Sequence, residues 1–490
     1  MTGLAGHGRR LLTTGLAYQF SDVVAKGIAL VLLPVYTRHL TRADYGTAEV
    51  LVTLVILVSI LARLGLGEAL VRFHYLDADP ERRRRVARTA SGVLLAVTTT
   101  GAVAVALAAE PVSRLVLGTE QPDVIRAAAL GLWGFTNLEL LYGLLRAEGR
   151  PRAYLTASLV NVGLTVALTL VLVVGLDQGA LGLLVGNYAA TVVVVLGLGF
   201  AMREALGLRP ARVDRAQLGA MLRFGLPTVP ADLAIFALFL VDRIWLYRVD
   251  SEDAAGLYSL SVKLAGAVIF TVRAFQLAWP PLAYSVEDDA EAGRLYARIT
   301  TWYVVVTALV VAALTLLGRW VVRLLAAPAF FAAHEALPWV ALGWALYGLY
   351  FVLAAMAGRA RVTIRTVPAA LAALAVNAAL LAALVGPLGI AGAGIALVGA
   401  YLVMLVVAYA LARSVFPVPF EWGRLALVVA VAGGLAVTGE LLLPTSGAAG
   451  LLSRALVAAL IPVVLVAAGF LRPGERALLL ARVSRLALCG

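Results

Sequence analysis

FGLPTVPADLAIFALFLVDRIWLYRVDSEDAAGLYSLSVKLAGAVIFTVRAFQLAWPPLAYS occupies Phe224–Ser285 and decides the fold class. Two hydrophobic segments flank a short polar connection at Asp250–Asp253, and both carry ionisable residues in apolar surroundings. Asp232 lies near the middle of the first segment, Asp242 and Arg243 near its end, and Lys263 and Arg273 inside the second. A charge at the centre of a bilayer costs about 2.5–3.5 kcal/mol or more, so it faces a partner or a water-filled cavity. Two such helices imply a polar pathway through a membrane protein.

Composition agrees. Of the 490 residues, 62% are hydrophobic and 14% charged, with a mean hydropathy of +0.95. A soluble domain is about half apolar and about a quarter charged. The chain is therefore an all-α polytopic membrane protein. The net charge of +12 would suggest nucleic acid in a soluble chain. Here the arginines sit in the loops of one side, so no nucleic-acid partner is expected. The single cysteine, Cys489, excludes an intramolecular disulfide and a cysteine metal cluster. His39, His74 and His334 fall in or beside loops without metal-ligand spacing, so neither metal nor cofactor is expected. The run from Leu11 is too long for a signal-peptide core and reads as a retained first helix.

A spanning helix needs about 20 mostly apolar residues. That rule predicts fourteen spans: Leu11–Tyr36, Thr47–Phe73, Ala87–Ala109, Val124–Ala147, Tyr154–Val174, Ala180–Met202, Leu218–Tyr247, Ala254–Tyr284, Ile299–Leu325, Leu337–Gly358, Val367–Val385, Ile390–Ala412, Leu425–Leu443 and Leu451–Leu471. With the N-terminus inside, the inner segments hold 25 basic residues and the outer ones 8, which places both termini in the cytoplasm. Setting Gly46 against Gly256 also sets Asp22 against Asp232, an offset of 210 residues; Asn161 similarly resembles Asn377. An even number of helices per copy gives parallel repeats. The expected organisation is two six-helix lobes, 1–207 and 208–413, followed by helices 13–14 and a tail over 414–490. Arg482 and Arg485, three apart among leucines, suit a short helix on the membrane surface.

Leu33–Arg38, Asp44-Tyr45-Gly46, Leu64-Gly65-Leu66 and Ala69–Phe73 resemble the opening of bacterial polysaccharide-biosynthesis membrane proteins. These are the oligosaccharide (O-antigen-type) flippases of the multidrug/oligosaccharidyl-lipid/polysaccharide exporter superfamily. A second block matches as well: Phe224–Pro227, Pro230, Asp242-Arg243, Gly256–Ser259, Lys263, Phe275–Trp279, Pro281 and Tyr284-Ser285. The resemblance implies an inverted-V, MATE-like fold whose lobes alternate between inward-open and outward-open states. It implies a polyprenyl-(pyro)phosphate-linked oligosaccharide as cargo, turned to the outer leaflet while its tail stays in membrane lipid. It leaves room for contacts with other polysaccharide-assembly proteins.

The buried charges then divide into groups. Lys26, Arg63, Lys263 and Arg273 are the candidate contacts to the cargo phosphate, with arginine offering a bidentate fork. Asp22 and Lys26 are four apart on one helix face, so pairing with each other stands as the alternative for Lys26. For Arg63 the alternative partner is Glu68 or a lipid phosphate. Asp22, Asp232, Asp242 and Arg243 read as gate or ion-pair residues. Glu49, Glu68 and Glu139 are candidates for ion coupling, with a helix–helix hydrogen bond as the competing role. Asn137, Asn161, Asn187 and Asn377 read chiefly as packing residues. A MATE-type drug/cation antiporter is the rival on the same fold, but its site would favour acids over these bases. A membrane-embedded glycan polymerase would need a large outer loop with clustered catalytic residues, and these loops are short. The chain therefore reads as a transporter rather than an enzyme.

Overall fold

The structure, a computed structural model, describes residues 24–25, 27–76, 79–206, 214–360 and 367–475. Among the described residues every regular element is helical. Two compact units divide the chain, one running up to Ser259 with Leu325–Phe330 added, the other holding Leu260–Leu324 and the residues from Phe331.

The first unit begins with α1 (residues 27–39). It continues through α2 (Arg42–Arg63), α3 (Leu66–Leu76), α4 (Pro80–Leu107), α5 (Ala109–Val116), α6 (Pro122–Ala147), α7 (Pro151–Thr169), α8 (Gly179–Ala201) and the short α9 (Arg203–Leu206). The chain then forms α10 (Arg215–Gly225), α11 (Val229–Trp245) and the start of α12 (Glu252–Leu264). Local sequence sets the helix starts. Thr41 caps α2 in a reciprocal box with Asp44. Asp79 caps α4 ahead of Pro80, and prolines open α6 and α7 where the missing N–H leaves no bond unmade. Helix α6 is central, packing against α2, α4 and α8, while α11 lies on α2 and α10 on α3. Lipid offers little hydrophobic drive between helices, so close packing of small residues holds such contacts.

The second unit continues with α13 (Gly266–Ser285), α14 (Asp289–Leu325), α15 (Leu337–Arg359), α16 (Val367–Ala412), α17 (Trp422–Leu442) and α18 (Gly447–Ala467). Val305, Ala312, Val428, Ala432, Ile461 and Leu465 form a core that joins α14, α17 and α18.

Ten described helices are long and apolar enough to cross a membrane, and the bent α12–α13 pair makes an eleventh. The 46 residues of α16 span about 69 Å at 1.5 Å each, roughly twice a bilayer core of about 30 Å. Gly389, with φ 54° and ψ −132°, divides it into the expected eleventh and twelfth spans. The seventh span runs through α10, a 3-10 turn and α11, and only part of the first is described. This arrangement fits fourteen.

Three details differ from the sequence expectation. The second span is two helices, because Leu64 (φ 51°) and Gly65 (φ 68°) turn the chain between α2 and α3. The expected eighth span, Ala254–Tyr284, bends by 48° between α12 and α13, so Lys263 and Arg273 stand on two helices rather than one. The expected third span, Ala87–Ala109, begins earlier, at Pro80, so that Arg82–Arg85 lie on the first turns of α4.

The 210-residue offset has a physical counterpart inside the first unit. Thr41 Oγ1 accepts the Asp44 N–H at 3.0 Å, and Ser251 Oγ accepts the Ala254 N–H at 3.1 Å. A Cβ at Gly46 would stand 2.3 Å from the Glu252 carbonyl oxygen, and one at Gly256 2.1 Å from that of Arg42. The two copies thus meet reciprocally, backbone to backbone, and Arg42 and Asp253 form an ion pair at 2.7 Å beside them. The equivalence at the same offset, Asp22 with Asp232, falls on a residue and a side chain outside those described.

Candidate functional site

The turn at Leu64-Gly65 redirects the chain so that the last residue of α2 and the first turns of α3 border one space. Gly65 is required there twice over. Its φ is left-handed, and its added Cβ would stand 2.1 Å from the Gly225 carbonyl oxygen. The resulting cavity has a volume of ≈440 Å³. Arg63 enters from α2, Gly67, Glu68, Val71 and Arg72 from α3, and Glu139, Leu140, Gly143 and Arg146 from α6. Spacings of four on α3 (Glu68/Arg72) and of four and seven on α6 (Glu139/Gly143/Arg146) are the intervals that share a helical face.

Three guanidiniums and two carboxylates share this cavity, yet among the described residues no ion pair joins them. Arg63 Nε donates only to the Ser59 carbonyl, at 3.4 Å. The Arg72 guanidinium lies 4.4 Å from the centroid of the Phe224 ring, and that of Arg146 lies 5.8 Å from the Tyr154 ring. A ring face steadies a guanidinium without using up its N–H donors. The arrangement is a cationic cradle with free forks, which suits phosphate or pyrophosphate oxygens.

Of the predicted residues, the structure brings Arg63, Glu68 and Glu139 together in this cavity. Glu49, also on α2, is buried elsewhere, with 8% exposure. Asp242 accepts a hydrogen bond from the Tyr258 hydroxyl at 2.8 Å, while Arg243 donates to Thr53 Oγ1. These adjacent residues of α11 thus reach α12 and α2 respectively. Lys263 is half-buried and Arg273 exposed, both in the second unit. Lys26 and Asp22 lie outside the described residues, as does the Asp232 side chain.

Sequence reasoning missed Arg72 and Arg146, which look like ordinary positively charged helix ends. The signal was their register: four residues after Glu68 and seven after Glu139. Also missed was Arg454 on α18, fully buried and paired with Glu440, which holds Arg319 of α14 at 3.0 Å as well. Arg454 further donates to the carbonyls of Pro444 at 3.0 Å, Leu443 at 3.1 Å and Leu316 at 3.4 Å. Its donors are so fully used that it is a clamp between α14, α17 and α18. At the arginine-rich end, Glu421 accepts from Thr301 at 2.7 Å and pairs with Arg424 and Arg472. Between these two networks lies a second cavity of ≈860 Å³ with apolar walls from α14, α15, α16 and α17.

Residues 12–283 match the family described as polysaccharide biosynthesis protein. The lipid III flippases of Escherichia coli (strain K12) and Shigella flexneri are each 29% identical over 149 residues, 29% of this chain. That match spans 36% of the length of these curated relatives. A solved structure of the lipid II flippase MurJ in an inward closed conformation superposes with a TM-score of 0.72 at 11% identity, covering 94% of this chain and 99% of that one. An inward-facing multidrug-resistance MATE family transporter gives 0.65 at 17% identity, covering 81% and 94%. At these identities the likeness is one of fold, and the fold is MATE-like.

Proposed function

We propose that this chain, which belongs to the polysaccharide biosynthesis protein family, is a flippase for a polyprenyl-(pyro)phosphate-linked oligosaccharide. It moves its cargo from the cytoplasmic to the outer leaflet of the inner (plasma) membrane, by alternating access, for cell-surface polysaccharide assembly. The observation that carries this reading is the cavity with three arginines free of carboxylate partners. A lipid-linked phosphate must leave water to cross, and a preformed cationic cradle replaces its hydration. A cation antiporter on the same fold would instead present acids in excess of bases, whereas here three arginines outnumber Glu68 and Glu139.

In this scheme the lobes are 1–207 and 208–413, with both termini cytoplasmic. Arg63, Arg72 and Arg146 receive the phosphate, and Lys26, Lys263 and Arg273 serve as later stations. Asp242 and Arg243, with Asp22 and Asp232, act at the gate. Glu49, Glu68 and Glu139 are the candidates for ion coupling. The apolar cavity of the second unit suits a hydrocarbon chain such as a polyprenyl tail. No bond of the cargo is made or broken, so the protein is a transporter and not an enzyme.

The test is outward flipping of purified lipid-linked oligosaccharide in proteoliposomes. Arg63→Gln, Arg72→Gln and Arg146→Gln should each slow flipping by about tenfold or more, the worth of a charge-assisted hydrogen bond. Full rates in all three variants, at equal protein incorporation, would remove the phosphate role from this cavity.

A further inference from the structure

The sequence blocks Ala69–Phe73 and Phe224–Pro227 meet at the edge of the Arg63 cavity. Gly65 and Gly225 touch there backbone to backbone, and Phe224 stands one residue before Gly225, at the end of α10. A helical side chain leans toward the N-terminus of its own helix, so Arg72 reaches back over α3 toward this seam. Its guanidinium lies 4.4 Å from the Phe224 ring centroid. The ring is held from behind, packed against the core that includes Leu66, Leu70 and Met221. Phe224 does not itself border the cavity, so its action on a ligand there passes through Arg72.

Another partner for Arg72 is left unused. Glu68 stands four residues earlier on α3, the order and spacing that favour an ion pair on a helix. Among the described residues no ion pair joins the two, and the guanidinium keeps to the ring. The choice decides the charge of the cavity. Paired with Glu68, Arg72 would spend its in-plane N–H donors on a carboxylate, and one of the three cations would be neutralised. Stacked on a ring face, the same guanidinium keeps its five N–H groups in the plane, open to a ligand.

We propose that Phe224 is a positioning residue for the cargo phosphate: its ring holds the Arg72 guanidinium off Glu68 and presents it to the cavity. This rests on the phosphate role proposed for that cavity. The other charged groups lining it are Arg63 from α2, Glu68 from α3, and Glu139 and Arg146 from α6. An aliphatic side chain of similar bulk at position 224 keeps the contact with the core but offers no ring face. Arg72 is then released to Glu68, and the cradle meets a phosphate with one cation fewer.

The experiment measures binding of radiolabelled inorganic pyrophosphate to the full chain in maltoside micelles, by equilibrium dialysis at neutral pH and constant ionic strength. Wild type should bind saturably, and Arg72→Gln should weaken half-saturation by about tenfold. Phe224→Leu should weaken it by about two- to fivefold, the worth of an exposed cation–π contact. Phe224→Tyr, which keeps the ring, should bind as wild type does. A purely structural role cannot produce the next result. In a Glu68→Gln background, where Arg72 has no acid on its own helix to pair with, Phe224→Leu should leave half-saturation nearly unchanged. Thermal midpoints establish that the compared variants are folded. Phe224→Leu binding like wild type, Phe224→Tyr binding like Phe224→Leu, or an equal loss in both Glu68 backgrounds would each overturn the proposal while Arg72→Gln still weakens binding. No saturable binding in wild type, or binding indifferent to Arg72→Gln, would instead remove the phosphate role of the cavity itself.

Discussion

At the scale of single residues, the Gly65–Gly225 contact is the most exacting feature of the Arg63 cavity. Each glycine's added Cβ would stand within 2.3 Å of the other's carbonyl oxygen, an atom of the backbone that cannot rotate away. Gly65→Ala also places a side chain at φ 68°. Its expected cost is about 1–3 kcal/mol, from overpacking of a filled contact, read as a lowered thermal midpoint of the purified protein. A midpoint equal to wild type would mean that the turn is not built as described. Arg63, Glu68 and Glu139 were legible in the sequence because each interrupts or adjoins an apolar run. Arg72 and Arg146 were not, because a basic residue near the end of a spanning helix has an ordinary explanation. Only the packing of α3 against α6 brings these exposed arginines to the border of the same space.

At the scale of elements, polar networks account for the attachment of α17 and α18. Glu440 and Thr438 interrupt an apolar run in the sequence, which gives no hint that Glu440 meets an arginine on the next helix. No periodicity connects residues on separate helices, and so Arg454 was invisible as a clamp. Arg454→Ala should destabilise the protein by about 3–5 kcal/mol, the cost of removing one partner from a buried pair. Because α18 is the element released, limited proteolysis near Ser446 should quicken in the variant, and unchanged digestion would sink the clamp. The network at the other end is pH-dependent. Burial alone would raise the Glu421 carboxyl, but the Thr301 hydroxyl and the Arg424 and Arg472 guanidiniums hold it below its ordinary value of 4.5. A carboxylate lowered on folding stabilises fully above its unfolded value and loses that contribution as pH falls through the folded one. Acidification below pH 4.5 should therefore loosen wild type but change Glu421→Gln far less; equal acid sensitivity would exclude Glu421 as the source.

At the scale of the whole chain, hydropathy and the arginine bias made the helical, polytopic class readable, because the bilayer demands long apolar helices with satisfied backbones. Breaks within spans were harder: Pro387 and Gly389 announce the division of α16, whereas left-handed Leu64 carries no such mark. The repeat was readable from Gly46 and Gly256, but not that these equivalents touch. If the copies belong to lobes that separate at this end during transport, the Arg42–Asp253 pair must open in each cycle. Its two side chains are 41% and 42% exposed, so the pair itself is worth little, and neutralising it should leave stability nearly unchanged. A covalent bridge at the same place is different, since it forbids separation. In a Cys489→Ser background, free of other cysteines, Arg42→Cys/Asp253→Cys should flip cargo near the wild-type rate when reduced. Closing the pair with a short bifunctional thiol reagent should abolish flipping, and a reductant should restore it when the linker is cleavable. Each single-cysteine variant, treated identically, should be unaffected. Full activity in the bridged protein would mean that this end stays closed throughout the cycle, and the cargo would need another exit.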